Sequence, residues 1–327
     1  MEAVINKMEL ELASFTGAVE KRLRSIEKKQ INKRIWEKDV TLWKKDAKSK
    51  ELISDSLGWL DIIPKMTAAI PQILQFVQNI RADGFTHVVV VGMGGNSLVP
   101  LVFKHTFEAG EDGLKLSTID TTDPATIQAI ERKLPLRETL FIISDKLGKT
   151  AETSALGDYF YEKMKAIKGD NAGSHFVAIT DSGTPLVEKA RALHYRHTFL
   201  NSEDISDHYS ALSYVGMVPA VLMGLDLRVL LKRAIKMQQD CQTYNLPSEN
   251  PALELGAILG EMANQKRNKL TLVLPDSLSA FGMWLEQLIA ISTGKEGKGI
   301  LPITGEALLA PSYYRDDRLF VHLHLNG

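Results

Sequence analysis

Two glycine-bearing stretches carry the residue types that hold small anions. The first, "GMGGNSLVP" from Gly92 to Pro100, follows the β-branched run "THVVVV" and offers Gly94, Gly95, Asn96 and Ser97. Glycines between a strand and a helix let backbone N–H groups approach an anion, and the N-terminal end of the helix adds a favourable field. The second, "ISDKLGKTAET" from Ile143 to Thr153, has the same setting and offers Ser144, Lys146, Gly148, Lys149, Thr150 and Thr153. A dinucleotide fingerprint needs glycine where this chain has Ser97, and a P-loop needs glycine five residues before Gly148, where Ile143 stands. What remains is a pair of polar cradles, with a ligand-free tight turn as the plain alternative for the first. Two such loops in one parallel sheet belong at its carboxyl edge, where small ligands usually sit.

The elements that must position these loops are legible as two rhythms. "THVVVV", "LKLSTID", "TLFIISD", "HFVAIT" and "YRHTFL" are short apolar runs without polar alternation, separated by helical stretches such as "TSALGDYFYEKMKAI". Strands covered on both faces read this way, which predicts an α/β fold with a doubly wound parallel sheet across roughly residues 86 to 200. The region before it, to about Arg81, reads as helices, with Pro71 near a helix start. A largely helical stretch follows the sheet, interrupted by "NLPSENP". "NKLTLVLP", "GILPITG" and "RLFVHLHL" then restart the strand signal around the helical "FGMWLEQLIAIST". This second α/β unit is expected to be unfinished, its last edge needing cover from a partner chain or from further sequence. The predicted units are a helical region over 1–81, an α/β domain over 82–205, a helical connection over 206–264 and the second α/β domain over 265–327.

Composition narrows the function classes. With 44% hydrophobic and 24% charged residues and a formal net charge of -1, the chain is an ordinary globular protein without a global polyanion-binding design. Its basic stretch over residues 21–50 is interspersed with Glu27, Glu37, Asp39 and Asp46, as on a solvated helix face. Contact with nucleic acid or membrane is therefore not expected, and an interaction protein with a basic patch is a lesser alternative. Cys241 is the only cysteine, so no intrachain disulfide and no zinc site is expected, and a reducing cytoplasm fits. The acidic N-terminus does not read as a signal peptide, and "YSALSYVGMVPAVLMGL" is short for a bilayer span and contains Pro219.

Longer stretches make a family resemblance specific. "NPALELGAILGEMANQKRNKLTLVLPDSL" and "FGMWLEQLIAISTGKEGKGILPITGE", with "GMGGNSLVP", "YSALSYVGMVPAVLMGLDL", "RIWEKDVTLWKKD" and "LGWLDI", resemble the glucose-6-phosphate isomerase family, especially the isomerase portion of bifunctional transaldolase–isomerase proteins. The resemblance covers nearly the whole chain. It implies two sugar-isomerase (SIS) domains, the second truncated relative to the family, dimeric assembly, and cytoplasmic glycolytic or gluconeogenic chemistry; a homo- or hetero-oligomer is expected, and no metal or other cofactor. The implied reaction moves a proton between C1 and C2 of a phosphorylated sugar, using a carboxylate base, a cation, an acid for ring opening and a phosphate anchor.

The implied machinery departs from the family pattern at each part. Ile291 stands where the resemblance places the base, while Ser292, Gly294 and Lys295 around it are kept. Glu296, in a glycine-flanked loop, is the candidate substitute, and Gln287 matches a substrate-contacting glutamine. His208 takes the position of the family's arginine, in "SDHYS". In the phosphate loop Lys146, Gly148, Thr150, Glu152 and Thr153 match, whereas Asp145, Leu147 and Lys149 do not; Asn96 replaces a usual serine in the other loop. A carboxylate about 4 Å from one phosphate charge costs on the order of 4 kcal/mol at an effective dielectric near 20. Lys149 is expected to offset it by pairing with Asp145. The ring-opening histidine and the family's lysine would come from sequence beyond Gly327; His322 and His324 fit neither role. The expectation is a catalytically impaired relative with a pocket for a sugar phosphate or another small anion. The alternative is an active isomerase with substituted groups or a complementing subunit.

Overall fold

The computed structural model describes residues 8–242 and 250–325, so residues 245–249 of "NLPSENP" lie outside the described residues. Four helices come first: α1 Thr16–Lys28, α2 Ile31–Trp36, α3 Ala47–Ser54 and α4 Ile62–Ala82. The first sheet alternates strands and helices: β1 His87–Val91, α5 Gly95–Thr106, β2 Lys115–Ile119, α6 Pro124–Glu131, β3 Thr139–Ser144, α7 Ala151–Lys168, β4 Phe176–Thr180, α8 Pro185–Ala192 and β5 His197–Leu200. Three helices then lead on, α9 Tyr214–Leu222, α10 Leu227–Gln242 and α11 Pro251–Asn264. The second sheet is built from β6 Lys269–Val273, α12 Ser279–Thr293, β7 Leu301–Ile303 and β8 Arg318–His322.

All pairings between named strands in both sheets are parallel, with strand orders β2-β1-β3-β4-β5 and β7-β6-β8. Side chains alternate across a strand, and the first sheet uses both faces. Val88, Val90, Leu140, Ile142, Val177 and Ile179 pack under α4, α9 and α10. Val89, Val91, Phe141, Ile143 and Ala178 pack under α7 and α8. This two-sided burial is why the strands lack polar alternation. Eight of the nine residues of α9 are buried, and among the described residues no helix is long and apolar enough to cross a membrane.

Pro71 is a correction. It lies inside α4 rather than near its start; Pro64 occupies the first turn, where the missing N–H leaves no bond unmade. An interior proline costs about 3 kcal/mol. The helix continues because Ile63, Met66, Ile73, Phe76, Val77 and Ile80 are buried along one face. Each such side chain contributes about 1.5–3 kcal/mol, so burial outweighs the backbone cost.

The two sheets are joined through helices. Packing of α12 against α5 and β7 carries the second sheet's helix to the first sheet's glycine loop. Val19 of α1, Ile258 and Met262 of α11, and Leu319 of β8 form a small third cluster. Arg22 and Glu261 close it with an ion pair at 2.9 Å.

Candidate functional site

Strand order reverses at β1, whose neighbours β2 and β3 leave through opposite sides of the sheet. In open parallel sheets such a reversal opens a crevice beyond the strands' carboxyl ends. Both glycine loops lie there. The loop after β1 is shaped by close backbone approach. Gly94 has φ +57°, and a Cβ on it would lie 2.6 Å from Gln287 Nε2 of α12. A Cβ on Gly95 would lie 2.1 Å from the Asp207 carbonyl oxygen. Asn96 Oδ1 accepts from the buried Ser144 Oγ at 2.8 Å, joining the two loops. Ser97 Oγ turns back to Gly94 O at 3.0 Å.

The loop after β3 turns at Gly148, φ +62°, packed against the start of α8. Asp145, 6% exposed, directs Oδ2 to the backbone N–H of Thr150 at 2.7 Å, at the N-terminal end of α7. The pairing of Lys149 with Asp145 expected from the sequence does not form. The Thr150 N–H is already fixed in place, whereas Lys149 would have to order a long exposed side chain. Lys146 lines the pocket with its ammonium already engaged. Its Nζ donates to Asp181 Oδ2 and, at 2.8 Å, to the Glu203 carbonyl. The hydroxyl of Thr153, 1% exposed, has no partner among the described residues.

Residues 206–208 form the opposite wall of a pocket of about 360 Å³, which the 145–150 loop closes. Burial pushes the Asp207 carboxyl above the usual carboxylate range; the Lys146 ammonium opposes this, and the Asp145 and Asp181 charges add to it. Asp181 is raised for the same first reason, burial, against the pull of Lys146. His208 is lowered by burial, with the Lys295 ammonium adding, so its imidazole is neutral at pH 7 and supplies no fixed cation. A larger groove, about 510 Å³, runs along the outer face of α7 past Tyr159 and Lys163, remote from these loops.

The C-terminal end of α12 completes the site. Tyr209 stacks on Trp59 at 5.2 Å, and its hydroxyl meets Ser292 Oγ at 3.1 Å. Ile291 is 45% exposed, and its carbonyl accepts from Lys295 Nζ. Glu296 has φ +55°, and its carboxylate is paired with Lys44, which holds it below the usual glutamate range. The buried Oε1 of Gln287 has no partner among the described residues. Gln287, the glycine loop and residues 207–208 are thus in contact, with Ser144 and Asn96 bridging to the second loop. Asp181 and Asp207 escaped sequence reasoning. A signal was present: "TID", "ISD" and "ITD" put Asp120, Asp145 and Asp181 directly after β2, β3 and β4.

Comparison with known proteins identifies the family. The family model described as phosphoglucose isomerase matches residues 8–300. The chain belongs to the phosphoglucose isomerase family. A glucose-6-phosphate isomerase of Trichormus variabilis is 32% identical over 250 residues, covering 72% of this chain and 47% of that protein. One from Methanocaldococcus jannaschii is 30% identical over 247 residues, covering 75% and 58%. The chain therefore spans about half the length of the curated relatives it matches. Among solved structures, a hypothetical protein from Thermus thermophilus superimposes with a TM-score of 0.73 at 24% identity, over 89% of this chain and 68% of that one. A glucose-6-phosphate isomerase from Chlamydia trachomatis gives 0.66 at 20% identity, over 89% and 61%. These likenesses show the fold, the SIS type that the family resemblance implied.

The family's fold carries a titration signature here. The folded chain holds a proton on Asp207 more readily than the unfolded chain does. Asp207's contribution to stability is therefore fully present below the ordinary aspartate pKa and is lost as pH rises through the raised folded value. Asp207→Asn removes that decline. Its melting temperature is expected to exceed the unsubstituted protein's at about pH 8, with the gap closing toward about pH 4. Thermal melts across that range check the sign; a gap that is constant with pH contradicts it.

Proposed function

We infer that this chain is a phosphoglucose isomerase family scaffold that holds a small ligand in the crevice of its first sheet without interconverting aldose and ketose. The observation that carries the reading is Ile291, a hydrocarbon at the position to which the resemblance assigns the proton acceptor. The candidate substitute, Glu296, is engaged by Lys44. A neutral His208 at the cation position supports the same reading. It divides the chain as the sequence does, into units over 1–81, 82–205, 206–264 and 265–327, and places it in the cytoplasm among glycolytic and gluconeogenic sugars.

The test is a coupled assay of the purified protein with fructose 6-phosphate. General acid–base catalysis contributes about 10²–10⁴-fold, so turnover is expected to be lower than that of a glucose-6-phosphate isomerase by at least that range. Turnover within about tenfold of such an enzyme overturns the reading. One observation favours a second reading, an isomerase completed by another chain: α12 is apolar almost all round, yet Met283 and Ile291 are 47% and 45% exposed. Activity that appears only with a co-purifying polypeptide supports it.

A further inference from the structure

We propose that Asp145 is a specificity determinant that turns this crevice away from phosphate, its carboxylate filling from within the chain the anion position at the start of α7. The pocket then takes a ligand that meets the loop with hydroxyls or other neutral hydrogen-bonding groups, such as an unphosphorylated sugar or polyol. The proposal concerns the same crevice as the functional reading above but does not depend on what stands at position 291.

Four observations converge. The Thr150 N–H, a donor that an external anion at the start of α7 would use, is already bonded to Asp145 Oδ2 at 2.7 Å. Asp145 is 6% exposed, so its charge is held in the wall of the pocket rather than in water. Of the two lysines in the loop, Lys146 has its ammonium committed to Asp181 and to the Glu203 carbonyl, and Lys149 is exposed. The facing wall brings Asp207, and the strand-end positions after β2, β3 and β4 are all aspartate. An incoming phosphate would meet the Asp145 carboxylate, although Lys149 lines the same pocket, and would have to displace an internal hydrogen bond. Thr150 and Ser206 remain in the pocket's lining as polar side chains that a neutral ligand, or an anion admitted by removing Asp145, can engage.

The experiment compares inorganic phosphate binding by the full chain, Asp145→Ser and Asp145→Asn, from thermal shifts at constant ionic strength. Serine empties the position, while asparagine keeps an oxygen for the Thr150 N–H and removes only the charge, which guards against a variant that fails to fold. Phosphate affinity is expected to rise by about fivefold or more in Asp145→Ser, and in the same direction in Asp145→Asn. For the unsubstituted chain, fructose and fructose 6-phosphate should shift the melting temperature alike. A gain below about fivefold in both variants overturns the proposal, as does such a result in Asp145→Asn alone if the serine variant does not fold. So does a fructose 6-phosphate shift in the unsubstituted chain that exceeds the fructose shift and is competed by phosphate. Isomerase turnover measured on the same samples separates the two claims: activity without phosphate selectivity removes the functional reading and leaves Asp145's role standing.

Discussion

Phe160→Ala is expected to lower stability by about 3–5 kcal/mol, the range for emptying an aromatic site in a close-packed core. Phe160 is fully buried on α7 and stacks on Phe141 of β3 with ring centroids 4.7 Å apart. Phe141 in turn stacks on Phe176 of β4 at 5.2 Å, and Tyr159 meets Phe160 edge-on at 5.1 Å. Alanine would remove the α7 end of this stack, and the neighbouring phenylalanines, fixed by sheet hydrogen bonds beneath, can close only part of the space. Urea unfolding should show the midpoint falling with little change in slope. A loss under about 1.5 kcal/mol would mean that α7 does not seat on the sheet as described.

Gly95→Ala is the second large effect, and it acts on the site itself. Alanine normally favours a helix over glycine by about 1 kcal/mol, so a neutral environment predicts a gain. Here the added Cβ would lie 2.1 Å from the Asp207 carbonyl oxygen, 2.5 Å from its carbon and 3.0 Å from the His208 nitrogen. All three are backbone atoms, which cannot rotate aside. Overpacking of this kind costs about 1–3 kcal/mol and occasionally more. The 207–208 wall should move outward, so the change is expected to lower the melting temperature and weaken any ligand of the crevice together. A stabilised Gly95→Ala would show that residues 207–208 do not approach the glycine loop.

Much of the fold was legible because two-sided burial leaves a direct mark. β1, β3 and β4 are runs of Val, Ile, Leu, Phe and Ala in which the chain has almost no polar choice. The two loops were legible because glycine between a strand and a helix has few other uses. α6 was not singled out, although "DPATI" carries its start signal: Asp123 accepts from the Thr126 N–H at 2.8 Å, with Pro124 in the first turn. Pro71 was misplaced because a local rule about proline competes with burial along a whole helix face. The site's electrostatics were the least legible. Asp145 could be seen to conflict with phosphate, but its choice of a backbone N–H over Lys149 depends on where the loop places that N–H. Lys146 with Asp181 and Lys44 with Glu296 are pairs across 35 and 252 residues, and nothing local in either segment announces them.

Because the crevice arises from the reversal of strand order at β1, its existence does not depend on which side chains line it. The hydrophobic layers that hold the strands apart sit on the two broad faces of the sheet, away from its carboxyl rim. A proton acceptor can therefore be deleted and a carboxylate installed without the vessel collapsing. The hollow and its contents are set by different residues, so the rim can change while the walls stay sound.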